Sequence, residues 1–314
     1  MRAIVIDRFG ERGSLREMPA PEPGPDQVLV KVGAAGVNPI DWKIRDGTRG
    51  ERKMPMVLGQ DFAGTVARAA GDFVEGTRVF GIARTNGAYA EYTVAPLHAH
   101  GEPIAPIPGG VTDVQAAALP TPGLTALASL EILGVKAGTT VLIHGSTGGV
   151  GCVATQLAHR RGAQVIGTIR GGSADYARSL GADEVIDTAT ADPIAAAKAK
   201  HPDGIDAVLD LVSTDKDANA KFADVLRAGG KLVTTNHVAD EAFFKQRGLS
   251  ATNVVMNQTP QSSPEGLKLL AQMVAEGTLK LNIAGEKPFA EAPEVLDQGK
   301  FGKFHGKFVL RVAS

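Results

Sequence analysis

Apolar positions alternate through the first third of the chain, then give way after residue 120 to apolar runs separated by helical stripes. Val28, Val30 and Val32 fall on one face of a strand predicted over residues 27–32. Further strands are predicted at 2–7, 64–67, 77–81 and 88–94, separated by glycine-containing turns, while Pro19, Pro21, Pro23 and Pro25 mark an extended loop. Residues 111–119 are alanine-rich, Pro120 and Pro122 interrupt that stretch, and 124–133 reads as a helix. From residue 139, strands predicted at 139–144, 164–169, 184–186, 205–211 and 231–235 alternate with helical stretches, several closing at a glycine (Gly162, Gly181, Gly229). Such alternation predicts a parallel sheet covered on both faces. Ser263 and Pro264 open another helix running to 276, with serine as cap and proline in the first turn. The tail regains strand and turn character and ends in the apolar run Phe308-Val309-Leu310. The expected organisation is α/β and discontinuous: a mainly-β domain from 1–120 and 280–314, and a doubly wound parallel-sheet domain over 121–279.

The 314 residues suffice for two medium-sized domains with their own cores. The 33 basic and 34 acidic side chains give a formal charge of -1, which argues against a general nucleic-acid or anionic-membrane partner. One cysteine, Cys152, excludes an internal disulfide and a thiolate-rich structural zinc site. Charge interrupts the first residues too early for a secretory signal, and no apolar run reaches bilayer-spanning length, so a cytoplasmic location is expected.

Candidate chemistry begins where Val141-Leu142-Ile143-His144 leads into Gly145-Ser146-Thr147-Gly148-Gly149-Val150-Gly151. Val150, Val153, Ala154, Leu157 and Ala158 then share one helical face. Glycines alone would indicate only a tight turn; strand, loop, amphipathic helix and second strand together read as a dinucleotide site. Its backbone and helix N-terminus suit a pyrophosphate. Cys152 stands where a kinase-type phosphate loop needs lysine. The candidate loop contacts are Ser146, Thr147, Gly148, Gly149, Val150 and Gly151. The end of the second strand selects the cofactor. An NAD site carries an acid there for the ribose hydroxyls, whereas this chain has Ile169, then Arg170, Gly171, Gly172 and Ser173. Arg170 can pair with a 2′-phosphate, so NADPH is expected, with Arg170 and Ser173 as contacts; the competing role for Arg170 is a solvated loop arginine. Val212 and Ser213 after the fourth strand, and Asn236 and His237 after the fifth, lie at strand ends where such sheets bind ligands.

Several segments in order resemble the medium-chain dehydrogenase/reductase superfamily, in its zinc-independent quinone oxidoreductase branch. They are residues 36–47 (Gly-Val-Asn-Pro-Ile-Asp-Trp-Lys-Ile-Arg-Asp-Gly), Leu58-Gly59-Gln60-Asp61-Phe62-Ala63-Gly64, Gly87-Ala88-Tyr89-Ala90-Glu91-Tyr92, Pro122-Gly123-Leu124-Thr125-Ala126-Leu127 and the glycine loop. The resemblance implies a GroES-like catalytic domain beside a Rossmann domain, an active site in the cleft between them, and a homodimer. It places Thr125 near the nicotinamide, although a helix-start hydroxyl is the plainer role. Zinc members carry cysteine and histidine ligands where this chain has Asn38 and Gln60, and the scattered histidines, including His98 and His100, make no convincing set of three ligands.

Without zinc, hydrogen-bond donors must stabilise charge on a substrate oxygen as hydride arrives, each contributing ~3 kcal/mol in a water-excluded site. Asn38 and Lys43 are the candidate donors. Asn38 could instead only cap a short helix, Lys43 could be a solvated surface lysine, and Asp41 could orient Lys43 or Arg45 or face solvent. Quinone reductases of the branch often have tyrosine near the Lys43 position, whereas its enone and alkenal reductases have lysine. The resemblance therefore implies NADPH-dependent reduction of a small α,β-unsaturated carbonyl compound. The alternatives are an NADPH:quinone oxidoreductase, a non-catalytic NADPH-binding relative and a zinc alcohol dehydrogenase.

Overall fold

A computed structural model describes residues 1–84, 87–172, 174–300 and 306–312. Its residues gather into two units, Met1–Leu124 with Asn257–Ser314, and Thr125–Met256. Among the described residues, no helix is long and apolar enough to cross a membrane.

In the first unit, β1 (Arg2–Ile6), β2 (Ser14–Glu17), β3 (Gln27–Gly36), α1 (Pro39–Arg45), β4 (Met56–Val57), β5 (Asp61–Arg68), β6 (Arg78–Ile82), β7 (Tyr92–Pro96), β8 (Ile104–Pro106) and α2 (Asp113–Ala117) follow in order. Burial along β3 alternates as its sequence requires, with Val28, Val30 and Val32 inside. Each buried valine contributes about 1.5–3 kcal/mol. These side chains pack with Phe62, Val66, Tyr89 and Leu310 in one core. The strand predicted at 88–94 starts later, at Tyr92; Ala90 makes an isolated bridge with Ala3 instead.

α3 (Pro120–Leu133) carries the chain into the second unit. Pro120 and Pro122 do not break this helix but begin it, because the N–H groups of a first turn have no intrahelical acceptor to lose. Then come β9 (Thr140–His144), α4 (Gly149–Arg160), β10 (Gln164–Ile169), α5 (Ala174–Ser179), β11 (Glu184–Asp187), α6 (Pro193–Lys200), β12 (Ile205–Asp210), α7 (Lys216–Ala220), β13 (Leu226–Thr234), α8 (Glu241–Gln246) and β14 (Ser250–Asn253). All six strands are parallel, in the order β11-β10-β9-β12-β13-β14. The chain thus winds outward from β9 in both directions, the doubly wound Rossmann arrangement, with its switch point between β9 and β12. Gly229 does not stop a helix; it lies inside β13, where the pairing with β12 shifts register.

The chain returns to the first unit through α9 (Pro264–Ala275), β15 (Ile283–Pro288), α10 (Ala292–Lys300) and β16 (Lys307–Arg311). Ser263 Oγ accepts the Gly266 N–H at 3.1 Å, so the expected cap is formed. Residues 257–279, expected with the Rossmann domain, group with the first unit, where α9 packs against β8. β16 takes an interior place in the sheet β15-β16-β3-β5-β6-β8, with β7 also paired to β3. A separate small sheet runs β2-β1-β4. The first unit is mainly β, as its sequence pattern predicts. Arg45 fixes α1 to α10 through Asp297 at 2.7 Å, and Lys300 adds a bond to Asp46 at 2.6 Å.

Candidate active site

Asn38 occupies the N-cap position of α1, with extended backbone angles of φ −128° and ψ 154°. Its N–H donates to Asp41 Oδ2 at 2.7 Å, the return half of a capping box. Its carboxamide, however, bonds away from the helix. Nδ2 donates to Asp61 Oδ2 at 2.8 Å, at the start of β5. Oδ1 accepts from the Lys307 ammonium, at the start of β16. Strand pairing explains the second bond. Val309 of β16 faces Gly36 of β3, and the Val37 N–H donates to the Phe308 carbonyl at 3.0 Å. Continuing that antiparallel register by two residues brings Lys307 beside Asn38. Gly36 permits the crowding: a Cβ there would lie 2.2 Å from the Ala117 carbonyl oxygen and 3.1 Å from Asp61 Cβ.

Asp61 accepts two further bonds, from the Thr121 N–H at 3.1 Å and its hydroxyl at 2.6 Å. Lys307 Nζ stands 3.5 Å from the same carboxylate. Asp41 Oδ2 also accepts from the Tyr89 hydroxyl at 2.8 Å, while Asp41 Oδ1 has no hydrogen-bond partner among the described residues. Asn38, Asp41, Asp61 and Lys307 are all at most 5% exposed. Two carboxylates, one ammonium and one carboxamide therefore share a buried site, where mutual charge effects are strong. Burial, with the nearby charge of Asp61, pushes the Asp41 carboxyl up to about 7 against the pull of the Asn38 N–H, Tyr89 and Lys307. Burial lowers the Lys307 ammonium from its ordinary value, opposed by Asp61 and Asp41. Burial also raises the Tyr89 phenol, reinforced by Asp41.

Asp41 therefore neither faces solvent nor orients Arg45. It is buried against Asn38 and Tyr89, and Arg45 pairs with Asp46 and Asp297. Lys43 is half-buried on α1, its Nζ 5.5 Å from the centre of the Trp42 ring. Burial first, and Arg49 second, lower its pKa below that of an ordinary lysine.

The donors around Asn38 do not suit zinc. A lysine ammonium already bonds to Asn38, and the described residues gather no group of three histidine, cysteine or carboxylate side chains.

In the second unit, the glycine loop lies between β9 and α4 at the carboxyl end of the sheet. Gly151 lets the helix close on the loop, since a Cβ there would lie 2.0 Å from the Gly145 carbonyl oxygen. A Cβ at Gly148, the N-cap of α4, would meet nothing nearer than that oxygen at 3.5 Å. The first N–H groups of α4, on Gly149, Val150 and Gly151, have no intrahelical acceptor. This cradle fits a dinucleotide pyrophosphate. Ser146 differs from expectation: it is fully buried, and its N–H and hydroxyl both donate to the Thr168 carbonyl at 3.0 Å. It ties the loop to β10 rather than presenting a hydroxyl to a ligand. Thr147 is half-buried in the loop, and Thr125 is mostly buried in α3.

Arg170 follows β10 and is exposed; Ser173 lies outside the described residues. Val212 lies against the loop, its Cγ2 2.8 Å from where a Gly145 Cβ would stand. Asn236 Nδ2 donates to the Ser213 carbonyl at 3.0 Å, joining the turns that follow β12 and β13. His237 holds a left-handed φ of 60°, unusual outside glycine. The structure thus brings Asn38 together with Asp41 in one unit, and Val212 and Asn236 to the loop end of the sheet in the other.

Asp61, Tyr89, Thr121 and Lys307 were not among the sequence candidates. Asp61 and Tyr89 stand within the quoted motifs, and a polar residue opening an apolar strand was the available signal at Lys307.

Two family models match the chain: an alcohol dehydrogenase GroES-like domain at residues 24–108, and a zinc-binding dehydrogenase at residues 180–310. A quinone oxidoreductase from Mus musculus is 30% identical over 328 residues, covering 96% of each chain. The trans-enoyl reductase pgmF of Aspergillus terreus is 36% identical over 246 residues, covering 71% of this chain and 67% of that protein. Among solved structures, the quinone oxidoreductase from Coxiella burnetii superposes with a TM-score of 0.88 at 32% identity, covering 100% of this chain and 99% of that one. Mycobacterial Rv1454c complexed with NADPH gives 0.86 at 26% identity, covering 99% and 100%.

Proposed function

We propose a function from one premise: the chain belongs to the medium-chain dehydrogenase/reductase superfamily, in its quinone oxidoreductase branch. It is an oxidoreductase, which we read as an NADPH-dependent, zinc-independent reductase acting on a small α,β-unsaturated carbonyl compound. The observation that carries the cofactor assignment is the glycine cradle at the switch point of a doubly wound sheet, with exposed Arg170 ending the neighbouring strand. The solved complex of Rv1454c with NADPH supports the same choice.

Bound NADPH supplies a hydride. The N-terminus of α4 would hold the pyrophosphate through Gly149, Val150 and Gly151, and Arg170 would pair with the 2′-phosphate. On a conjugated carbonyl, hydride at the β-carbon leaves negative charge on the oxygen. Asn38 and Lys43 are assigned to hold that charge, each donor contributing ~3 kcal/mol. Asn38 has a second Nδ2 hydrogen beyond the one given to Asp61. Lys43 is a cation made less stable by its own surroundings, and so gains more from an anionic partner. No dication is needed for this stabilisation.

A second reading, NADPH:quinone reduction, is favoured by the quinone oxidoreductases among the relatives. The two differ in acceptor, not in cofactor or oxygen stabilisation. NADPH oxidation measured with a short enone and with a naphthoquinone separates them. Turnover of the enone is expected; turnover of the quinone alone defeats the primary assignment. Binding of NADPH with no turnover across a broad panel of electrophiles would defeat both.

A further inference from the structure

We propose that Lys307 is a positioning residue for this reduction: its ammonium fixes and polarises the Asn38 carboxamide, so that the remaining Nδ2 hydrogen is the donor to the charge-bearing oxygen. The proposal rests on the reading of Asn38 as that donor and deepens it.

An asparagine amide can be turned over in place, exchanging oxygen for nitrogen. Here each neighbour accepts only one orientation. The Lys307 ammonium can only donate, and the Asp61 carboxylate accepts from every neighbour it meets. Turning Asn38 over would set its NH2 against the ammonium and its oxygen against the carboxylate, losing both bonds. The orientation is thus fixed from both sides before any substrate arrives. The ammonium also draws electron density toward Oδ1, which makes the opposite N–H a stronger donor, an effect that a buried site screens poorly.

Lys307 has two buried partners. Its Nζ stands 3.5 Å from Asp61 Oδ2, a carboxylate that also accepts from Thr121 twice and from Asn38 once, and it bonds more closely to the Asn38 oxygen. The ion pair offsets the cost of burying the ammonium. The closer bond to Asn38, held by the register of β16 on β3, is the one that acts on the carboxamide.

The test is a double-mutant cycle of Asn38→Ala and Lys307→Met in the full-length protein. It is read by kcat and KM for a short enone, and by NADPH affinity from fluorescence. Because a neutral residue facing Asp61 could impair folding, Asp61→Asn/Lys307→Met provides a second neutral background. Asn38→Ala is expected to lower kcat about 100-fold, and Lys307→Met about 10-fold or more, each with NADPH affinity unchanged. In the Asn38→Ala background, removing Lys307 should cost nothing further, because its only route to the substrate is gone. If Asn38→Ala keeps wild-type kcat, the reading of Asn38 fails and takes the proposal with it. If Asn38→Ala is impaired but Lys307→Met is fully active, or lowers kcat by the same factor in both backgrounds, the proposal falls while that reading stands. If neither neutral background folds, Lys307 belongs to the core alone, and the proposal is overturned.

Discussion

Asp41 carries a free-energy cost that depends on pH. Its carboxyl titrates near 7 in the folded protein because burial disfavours the anion, against 3.8 when unperturbed. Between those values the native state holds a proton that the unfolded chain has released. Stability from this group is therefore present at low pH and declines as pH rises toward 7, at a limiting slope of about 1.4 kcal/mol per pH unit. Asp41→Asn keeps an oxygen for the Asn38 N–H and Tyr89 hydroxyl and removes the titration. Relative to wild type, it should gain stability from pH 5 to about pH 7 in urea melts and level off above that; parallel profiles would disprove the assignment. Lys43 calls for a kinetic test. Lys43→Ala should lower enone turnover about 10-fold or more with little change in NADPH affinity, and unchanged turnover would remove lysine from the mechanism.

Among the elements, the strands hidden from the sequence pattern share a position. β2, β4, β8, β14 and β15 all lie at sheet edges. An edge strand can be as short as Met56–Val57 or as polar as Ser-Ala-Thr-Asn, because it pairs on one side only and needs no continuous apolar face. Interior strands such as β3 and β9 display their burial in their residue pattern, and were readable for that reason. The glycine loop was legible because its constraint is local: strand, turn and helix are contiguous. Two variants probe it. Arg170→Ala should raise KM for NADPH about 10-fold or more while leaving NADH unaffected, the loss expected for one charge-assisted bond. Equal KM values before and after would return Arg170 to the solvated surface. Gly151→Ala, which drives a methyl into the Gly145 carbonyl, should abolish cofactor binding and lower Tm, and normal binding would show that the turn can relax.

At the scale of the whole chain, its length and the change of pattern at residue 120 made two domains readable, but the cluster around Asn38 was not. Its parts come from positions 38, 41, 61, 89, 121 and 307, and no local pattern records which distant segments will pair. The first unit needs both ends of the chain, since β16 enters between β15 and β3, whereas the second is contiguous. A chain ending at Lys300 should therefore lose amide-exchange protection in β3 and β5 but keep it in β9, β10 and β12. Equal loss in both units would mean that they fold as one. The bond between Lys307 and Asn38 spans 269 residues, which has a consequence for biosynthesis. A ribosome moving from the N-terminus completes every strand of the Rossmann sheet before it makes Lys307. A growing chain can thus acquire its nucleotide fold well before Asn38 acquires its partner. A product cut short before Lys307 is expected to carry the nucleotide fold without the bond that holds the Asn38 carboxamide.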